Sequence, residues 1–373
     1  MRLIANICRI LTGLVFMFSG FVKGVDPLGW TYRLEEYFQV FHISWLMPAA
    51  LFLTILLCTF EFVLGVALVF SIRLKFTAWV LLFVSAFFTV LTFFDAIYNT
   101  VPDCGCFGDA LKLTNWETFY KNIVLMIFTL VIFYRRKRTV PCFLPKNEVR
   151  FTGIIAALFA ALCVYSYAML PVIDFLPFKT GTRVISKEAP APKIYLTYKN
   201  KKTGETKEYL SPNFPWKDKV WMAEWEFVSQ RVDMTAESDM LYIQDFHNMD
   251  VTREILGNKN GELLIVSYDL EKASQKALKK VIEIGNQAMR QYLSTAMLTS
   301  NAGRNHNFIS IPSPMHYEFY NADDVELKML VRANPGLVLV KDGVIMGKWS
   351  SFNAPSVNDM YKILLKQPAK SKK

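Results

Sequence analysis

Five stretches of the chain, residues 3–22, 47–70, 76–94, 119–134 and 151–173, are nearly unbroken runs of apolar side chains. About 20 apolar residues in a helix cross the hydrocarbon layer while satisfying their own backbone hydrogen bonds, so these runs predict five transmembrane helices. Lys121 shortens the uncharged length of the fourth, which snorkelling toward the interface accommodates. Arg2 precedes the first run as it would in a signal peptide, but no small-residue cleavage site follows, so a retained helix is predicted. Between the first two runs, Trp30, Leu34, Tyr37, Phe38 and Phe41 fall at helical spacing opposite Arg33, Glu35 and Glu36. They predict an amphipathic helix lying in the membrane interface as an aromatic anchor.

Beyond residue 175 the pattern changes. Pro171 and Pro177 stop helix propagation, and residues 178–191 read as a linker with Gly181 and an Ala-Pro-Ala-Pro run. Alternation predicts strands over 194–198 and 206–210, turning at 201–204, then an aromatic-rich segment over 221–232. A strand over 263–268, a helix over 275–290, a strand near 292–299 and a helix over 325–331 follow. The chain ends in a hairpin, 337–340 with 344–348 turning on Lys341-Asp342-Gly343, and a helix over 357–366.

Composition agrees with two parts in different solvents. Hydrophobic residues make up 53% and charged residues 20%, below the quarter usual for a soluble domain. Basic residues exceed acidic ones by 42 to 32, split as 14 to 10 before residue 175 and 28 to 22 after it. Neither part is basic enough to require nucleic acid. The basic side chains of short loops orient the bundle, because cytoplasmic loops retain positive charge. Arg73 and Lys75 follow the second run, and Arg135, Arg136, Lys137, Arg138, Lys146 and Arg150 lie around the loop after the fourth. The N-terminus is therefore expected inside, with residues 24–45, residues 99–117 and everything after about 175 sharing the outer compartment.

The second outer loop carries the candidate chemistry, Asp103-Cys104-Gly105-Cys106-Phe107-Gly108. Cysteines one residue apart close only into a ring far from relaxed disulfide geometry, and such bonds tend to be reducible and catalytic. Gly105 lowers the steric cost of that ring. A tetrahedral zinc site needs more ligands than this loop supplies, and no histidine is near, so no metal is expected. Cys8, Cys58 and Cys163 fall inside spans and Cys142 in the cytoplasmic loop, which leaves Cys104 and Cys106 as partners for each other or as idle thiols. His42, His247, His306 and His316 lack ligand spacing and read as surface or core residues. Charges inside spans are costly and mark candidate sites. Glu61 sits mid-run and needs a partner, with Lys23, Arg9 or a tyrosine within reach and Arg9 the nearer by depth. Asp95 and Asp103 flank the thiol loop, as proton-exchange groups or as solvated helix-end carboxylates.

Residues 1 to about 138 resemble the DoxX-like and MauE-like membrane proteins. The likeness lies in Arg9-Ile10-Leu11-Thr12-Gly13, Phe18-Ser19-Gly20-Phe21-Val22-Lys23, Glu61-Phe62-Val63-Leu64-Gly65 and the Cys104-Gly105-Cys106 loop. It implies a four-helix bundle tied to thiol–disulfide chemistry, with Cys104 and Cys106 as the redox pair and Lys23 and Glu61 as polar bundle residues. Vitamin K epoxide reductase relatives, which pass electrons to quinone, offer an analogy for the acceptor. The order of elements after residue 261 resembles the thioredoxin fold, with 263–268 as its core strand and Pro335 as its cis-proline. Its cysteine pair is missing, because the matching position falls near Glu271-Lys272-Ala273-Ser274 and no cysteine follows Cys163. The expected fold class is thus an α-helical membrane bundle with a fifth transmembrane helix, followed by an α/β thioredoxin-like soluble domain.

The expected divisions are 1–138 for the four-helix domain, 139–177 for the basic loop and fifth helix, 178–260 for the linker and strand-rich segment, and 261–373 for the degenerate thioredoxin-like domain. Likeness to bacterial families places the chain in the inner membrane with its soluble domain in the periplasm. Two functions are expected from different classes. One is thiol–disulfide exchange with a periplasmic thiol or disulfide protein docked beside Pro335. The other is a non-enzymatic membrane anchor or assembly factor that binds partners through its soluble domain.

Overall fold

The computed structural model describes residues 2–99, 105–137, 145–185, 193–201, 203–210, 215, 218–233, 240–300 and 318–365. Asp103, Cys104, Arg138, Cys142, His306 and His316 lie outside these residues. Each apolar run forms a helix: α1 (Arg2–Val25), α3 (Ala50–Val69), α4 (Leu74–Tyr98), α5 (Asn115–Arg135) and α6 (Pro145–Met169). All five are long and apolar enough to span a membrane, α3 with a preceding 3-10 turn over Ser44–Ala49. Large apolar side chains such as Phe52, Phe83 and Leu158 stand exposed on the outside of the bundle, where lipid is their solvent. Helix α5 starts earlier than its apolar run, at a capping box in which Thr114 and Glu117 satisfy each other's backbone N–H groups.

Helix α1 packs along α3, α4 along α5, and α6 against α3. The first contact is close because glycines meet: a Cβ on Gly65 would lie 2.6 Å from the Gly13 carbonyl oxygen and 2.6 Å from the Met17 nitrogen. Small residues let membrane helices approach in this way, and van der Waals contact replaces a hydrophobic drive that lipid does not supply. Cys8, Cys58 and Cys163 are buried in α1, α3 and α6.

The amphipathic segment forms α2 (Pro27–Val40), its first turn capped by the Asp26 side chain, which accepts from Gly29 N. It is not simply an interfacial anchor. Thr31 donates to the Pro27 carbonyl and lies 3.0 Å from the Thr54 hydroxyl of α3, while Tyr32 on the same helix reaches Tyr268 of the C-terminal domain.

After α6, residues 178–185 do not hang free as a linker: Phe178 and Val184 are buried, and Gly181 N donates to Ile345 O. A three-stranded antiparallel sheet follows, β1 (Lys193–Asn200), β2 (Thr206–Leu210) and β3 (Trp225–Asp233) in the order β2-β1-β3. The aromatic-rich segment is thus divided between β3 and the short helix α7 (Lys219–Glu224).

The second sheet holds β4 (Ile243–Gln244), β5 (Glu262–Val266), β6 (Ser294–Thr299), β7 (Phe319–Ala322), β8 (Gly336–Lys341) and β9 (Val344–Ser350). Their order is β4-β7-β6-β5-β8-β9, with β5, β6 and β7 parallel and β4, β8 and β9 antiparallel to their neighbours. Central β5 is buried on both faces, which its unalternating Leu263-Leu264-Ile265-Val266 run requires. Leu263 and Ile265 pack with helices α9 (Gln275–Arg290) and α11 (Val357–Leu365). Leu264 and Val266 face α8 (Thr252–Leu256), α10 (Asp324–Leu330) and the 178–185 segment. The Asn334–Pro335 bond before β8 is cis.

Candidate functional site

The loop after α4 turns back into the bundle at its described end, residues 105–110. Gly105 has φ +63°, a conformation that favours glycine, and its Cβ position lies 3.4 Å from the Arg33 side chain. The Ser19 hydroxyl of α1 donates to the Cys106 carbonyl at 2.6 Å. The Phe107 ring packs on Phe18 at 5.5 Å between centroids, and Lys121 Nζ of α5 stands 4.6 Å from its centre. Lys121, the charge that shortens the fourth apolar run, is thereby placed beside the thiol loop.

Cys106 lines a cavity of about 40 Å3 together with Ser19, Lys23, Glu61, Lys121 and Asn122. That is room for a few water molecules. Lys23 Nζ bonds Glu61 Oε2 at 2.8 Å and lies 5.1 Å from the Trp30 ring centre; the two charged side chains are 4% and 16% exposed. This corrects the expectation that Arg9 is the nearer partner of Glu61. Arg9 lies toward the other end of α1, where its guanidinium donates to the Leu68 and Val69 carbonyls in the last turn of α3. The negative end of the helix dipole there attracts positive charge.

Asp95 is not a solvated helix-end carboxylate. It is buried, and Tyr37 of α2 donates its hydroxyl to Asp95 Oδ2 at 2.8 Å. His42 and His247 are exposed. Among the described residues, no group of three or more His, Cys, Asp or Glu side chains is arranged to hold a metal ion.

Sequence reasoning missed the contacts that join bundle and sheet. Arg332, between α10 and Pro335, donates from Nε to Asp26 Oδ2 at 2.8 Å and from Nη2 to Asp109 Oδ2 at 2.7 Å. Burial works against its charge, but the two carboxylates outweigh it and raise its hold on the proton. Tyr32 donates to the Tyr268 hydroxyl at 2.7 Å; burial, then the neighbouring hydroxyl, raises Tyr32 well above the usual phenol value, and burial pushes Tyr268 up to about 12. Lys348 pairs with Asp174, and Asn353 Nδ2 donates to the Met169 carbonyl at 3.1 Å.

Between these contacts opens a cleft of about 1250 Å3. Leu28, Met47 and Leu51 line it from the bundle; Tyr268, Asn334 and Pro335 line it from the sheet domain. Asn334 is itself held in place, accepting from Ser267 Oγ and donating to the Asp269 carbonyl, each at 2.7 Å. Ser274 is also on the cleft wall.

These features define a multi-pass helical membrane protein with a mixed-sheet domain seated on one end of the bundle. Residues 1–135 match the model of one protein family, described as methylamine utilisation protein MauE. The match ends with α5, so α6 and the sheet domain lie outside it. No curated protein and no solved structure matches the chain.

Proposed function

We propose that this protein exchanges disulfides with a thiol protein at the domain end of the bundle, through Cys104 and Cys106. The observation that carries the reading is the shared cavity of Cys106, Lys23, Glu61 and Lys121. Positive charge stabilises a thiolate, the nucleophile of the exchange, and a carboxylate beside it is a proton acceptor. In the proposed exchange, a partner thiolate attacks one sulfur of the Cys104–Cys106 disulfide and that bond breaks as a mixed disulfide forms. The partner's second thiolate then breaks the mixed disulfide. The partner leaves oxidised, and two electrons and two protons remain on the loop as two thiols. Exchange with a second protein disulfide returns the pair to its starting state. In this reading the second acceptor is a protein disulfide; a quinone, by the analogy with the vitamin K epoxide reductase relatives, is the alternative acceptor.

In this reading the C-terminal domain is thioredoxin-like and docks the partner in the cleft at Pro335. The order β6-β5-β8-β9 and helix α9 after β5 support it. In this reading the end of the bundle that carries the sheet domain faces the periplasm of a bacterial cell, and the basic loops at the opposite end support that orientation. Absence of any cysteine after Cys163 favours the second reading, a docking anchor without redox chemistry, since relays pass electrons between two pairs.

The deciding measurement is the redox state of the loop in intact membranes, by alkylation before and after graded reduction and mass analysis of the loop peptide. The expected result is an intramolecular disulfide that opens at a potential above about −300 mV, the bound typical of structural disulfides. Cys104→Ser or Cys106→Ser should then abolish function. Thiols that stay reduced throughout, with function intact in both variants, leave the anchor.

A further inference from the structure

The contact between domain and bundle at Arg332 ends on the cysteine loop itself. Asp109 belongs to the 3-10 turn Gly108–Ala110, three residues beyond Cys106. On its bundle side the loop is held by Ser19 at the Cys106 carbonyl and by Phe18 and Lys121 at the Phe107 ring. On its other side the Asp109 carboxylate is bound to Arg332. The guanidinium is 6% exposed and each nitrogen has a partner: Asp26, Asp109 and, from Nη1 at 2.9 Å, the Lys328 carbonyl. Arg332 immediately precedes Ala333, Asn334 and Pro335 on the cleft wall.

We propose that the thiol site is composite, and that Arg332 of the sheet domain is a positioning residue that sets the geometry of the cysteine loop through Asp109. The proposal rests on the exchange reading of Cys104 and Cys106. It adds that residues 1–135, the part matched by the family model, do not complete the site by themselves. An arginine suits the task because its planar fork spans two carboxylates at fixed angles, whereas a lysine ammonium is a single point charge. Without the guanidinium, Asp26 and Asp109 are like charges facing a vacated space, and the loop loses its hold on the domain side.

The test uses the full chain in membranes. In a Cys104→Ser background, the alkylation rate of Cys106 is read from the loop peptide for the parent, Arg332→Gln, Arg332→Lys and Asp109→Asn. In the two-cysteine chain, the reduction potential of the pair is read against glutathione buffers. Arg332→Gln and Asp109→Asn should each change the Cys106 rate by about tenfold and move the potential, with Arg332→Lys in between. Combined, they should do no more than either alone, because both remove one contact. Asp109→Asn keeps the Arg332–Asp26 pair and so reports on the loop even where Arg332→Gln does not fold. Rates and potentials equal to the parent's in folded Asp109→Asn chains overturn the proposal. A parent pair that never forms a disulfide sinks the exchange reading instead, while the Cys106 rates still decide whether Arg332 positions the loop.

Discussion

Lys23 and Glu61 show how a charged residue in a span finds its partner. Glu61 interrupts an apolar run, and that alone requires a compensating group. Which group compensates depends on how α1 and α3 align, because both Arg9 and Lys23 lie on α1. Gly13 beside Gly65 sets Arg9 level with the end of α3, and the long lysine side chain reaches Glu61 from the other end. Removing one partner leaves a buried charge uncompensated. Lys23→Met and Glu61→Leu should each lower stability, by about 3–5 kcal/mol at full burial and less here because Glu61 keeps some solvent. The double variant should recover the thermal midpoint in detergent while disulfide exchange stays impaired. Recovery of both would make the pair a packing device only.

At the scale of elements, the length and polarity of a segment predicted its type, and its partners decided its place. Helix α9 spans Gln275–Arg290, the boundaries that its pattern predicts, because its apolar positions recur at helical spacing along one face. Strands β4 and β7 escaped notice because they contain two and four residues, too few to show a period. Helix α2 was legible as amphipathic, but its neighbours were not, since one side meets α3 and another the sheet domain. The α1–α3 contact yields its own prediction. Gly65→Val drives a side chain into the backbone of α1, at the Gly13 oxygen and Met17 nitrogen, where no flexible group can yield. Loss of at least about 1–3 kcal/mol is expected, read as a lower thermal midpoint, and an unchanged midpoint would mean the helices stand further apart.

Among the described residues, polar contacts join the bundle to the sheet domain alongside the packing of Tyr32 and Leu170 on the sheet domain's core. Arg332 with Asp26 and Asp109, Lys348 with Asp174, and Tyr32 with Tyr268 join the sheet domain to the bundle. The two tyrosine rings meet edge to face at 6.0 Å between centroids, with Lys328 Nζ 4.8 Å from the Tyr32 ring centre. Tyr32→Phe and Tyr268→Phe keep the rings and remove only the hydroxyls. Each should cost about 1 kcal/mol in the stability of the full chain, and the double variant less than the sum, since one hydrogen bond is lost in all three. Strict additivity would show that the two hydroxyls do not meet.

Local chemistry was enough to determine the membrane helices and the two-part organisation, and it singled out the thiol loop as the candidate site. In lipid each helix must satisfy its own backbone, so an apolar run of sufficient length specifies its structure without help from the rest of the chain. The β8–β9 hairpin was legible for a similar reason, because Asp342-Gly343 lies between strands that pair with each other. Tertiary structure decided that Glu61 pairs with Lys23, that Lys121 faces the thiol loop and that Arg332 grips Asp109 from 223 residues away. These pairings join groups distant in sequence, and no periodicity or spacing encodes them. They exist because packing brings α1, α3, α5 and the loop before β8 to one end of the bundle, where charged groups removed from water must bind one another.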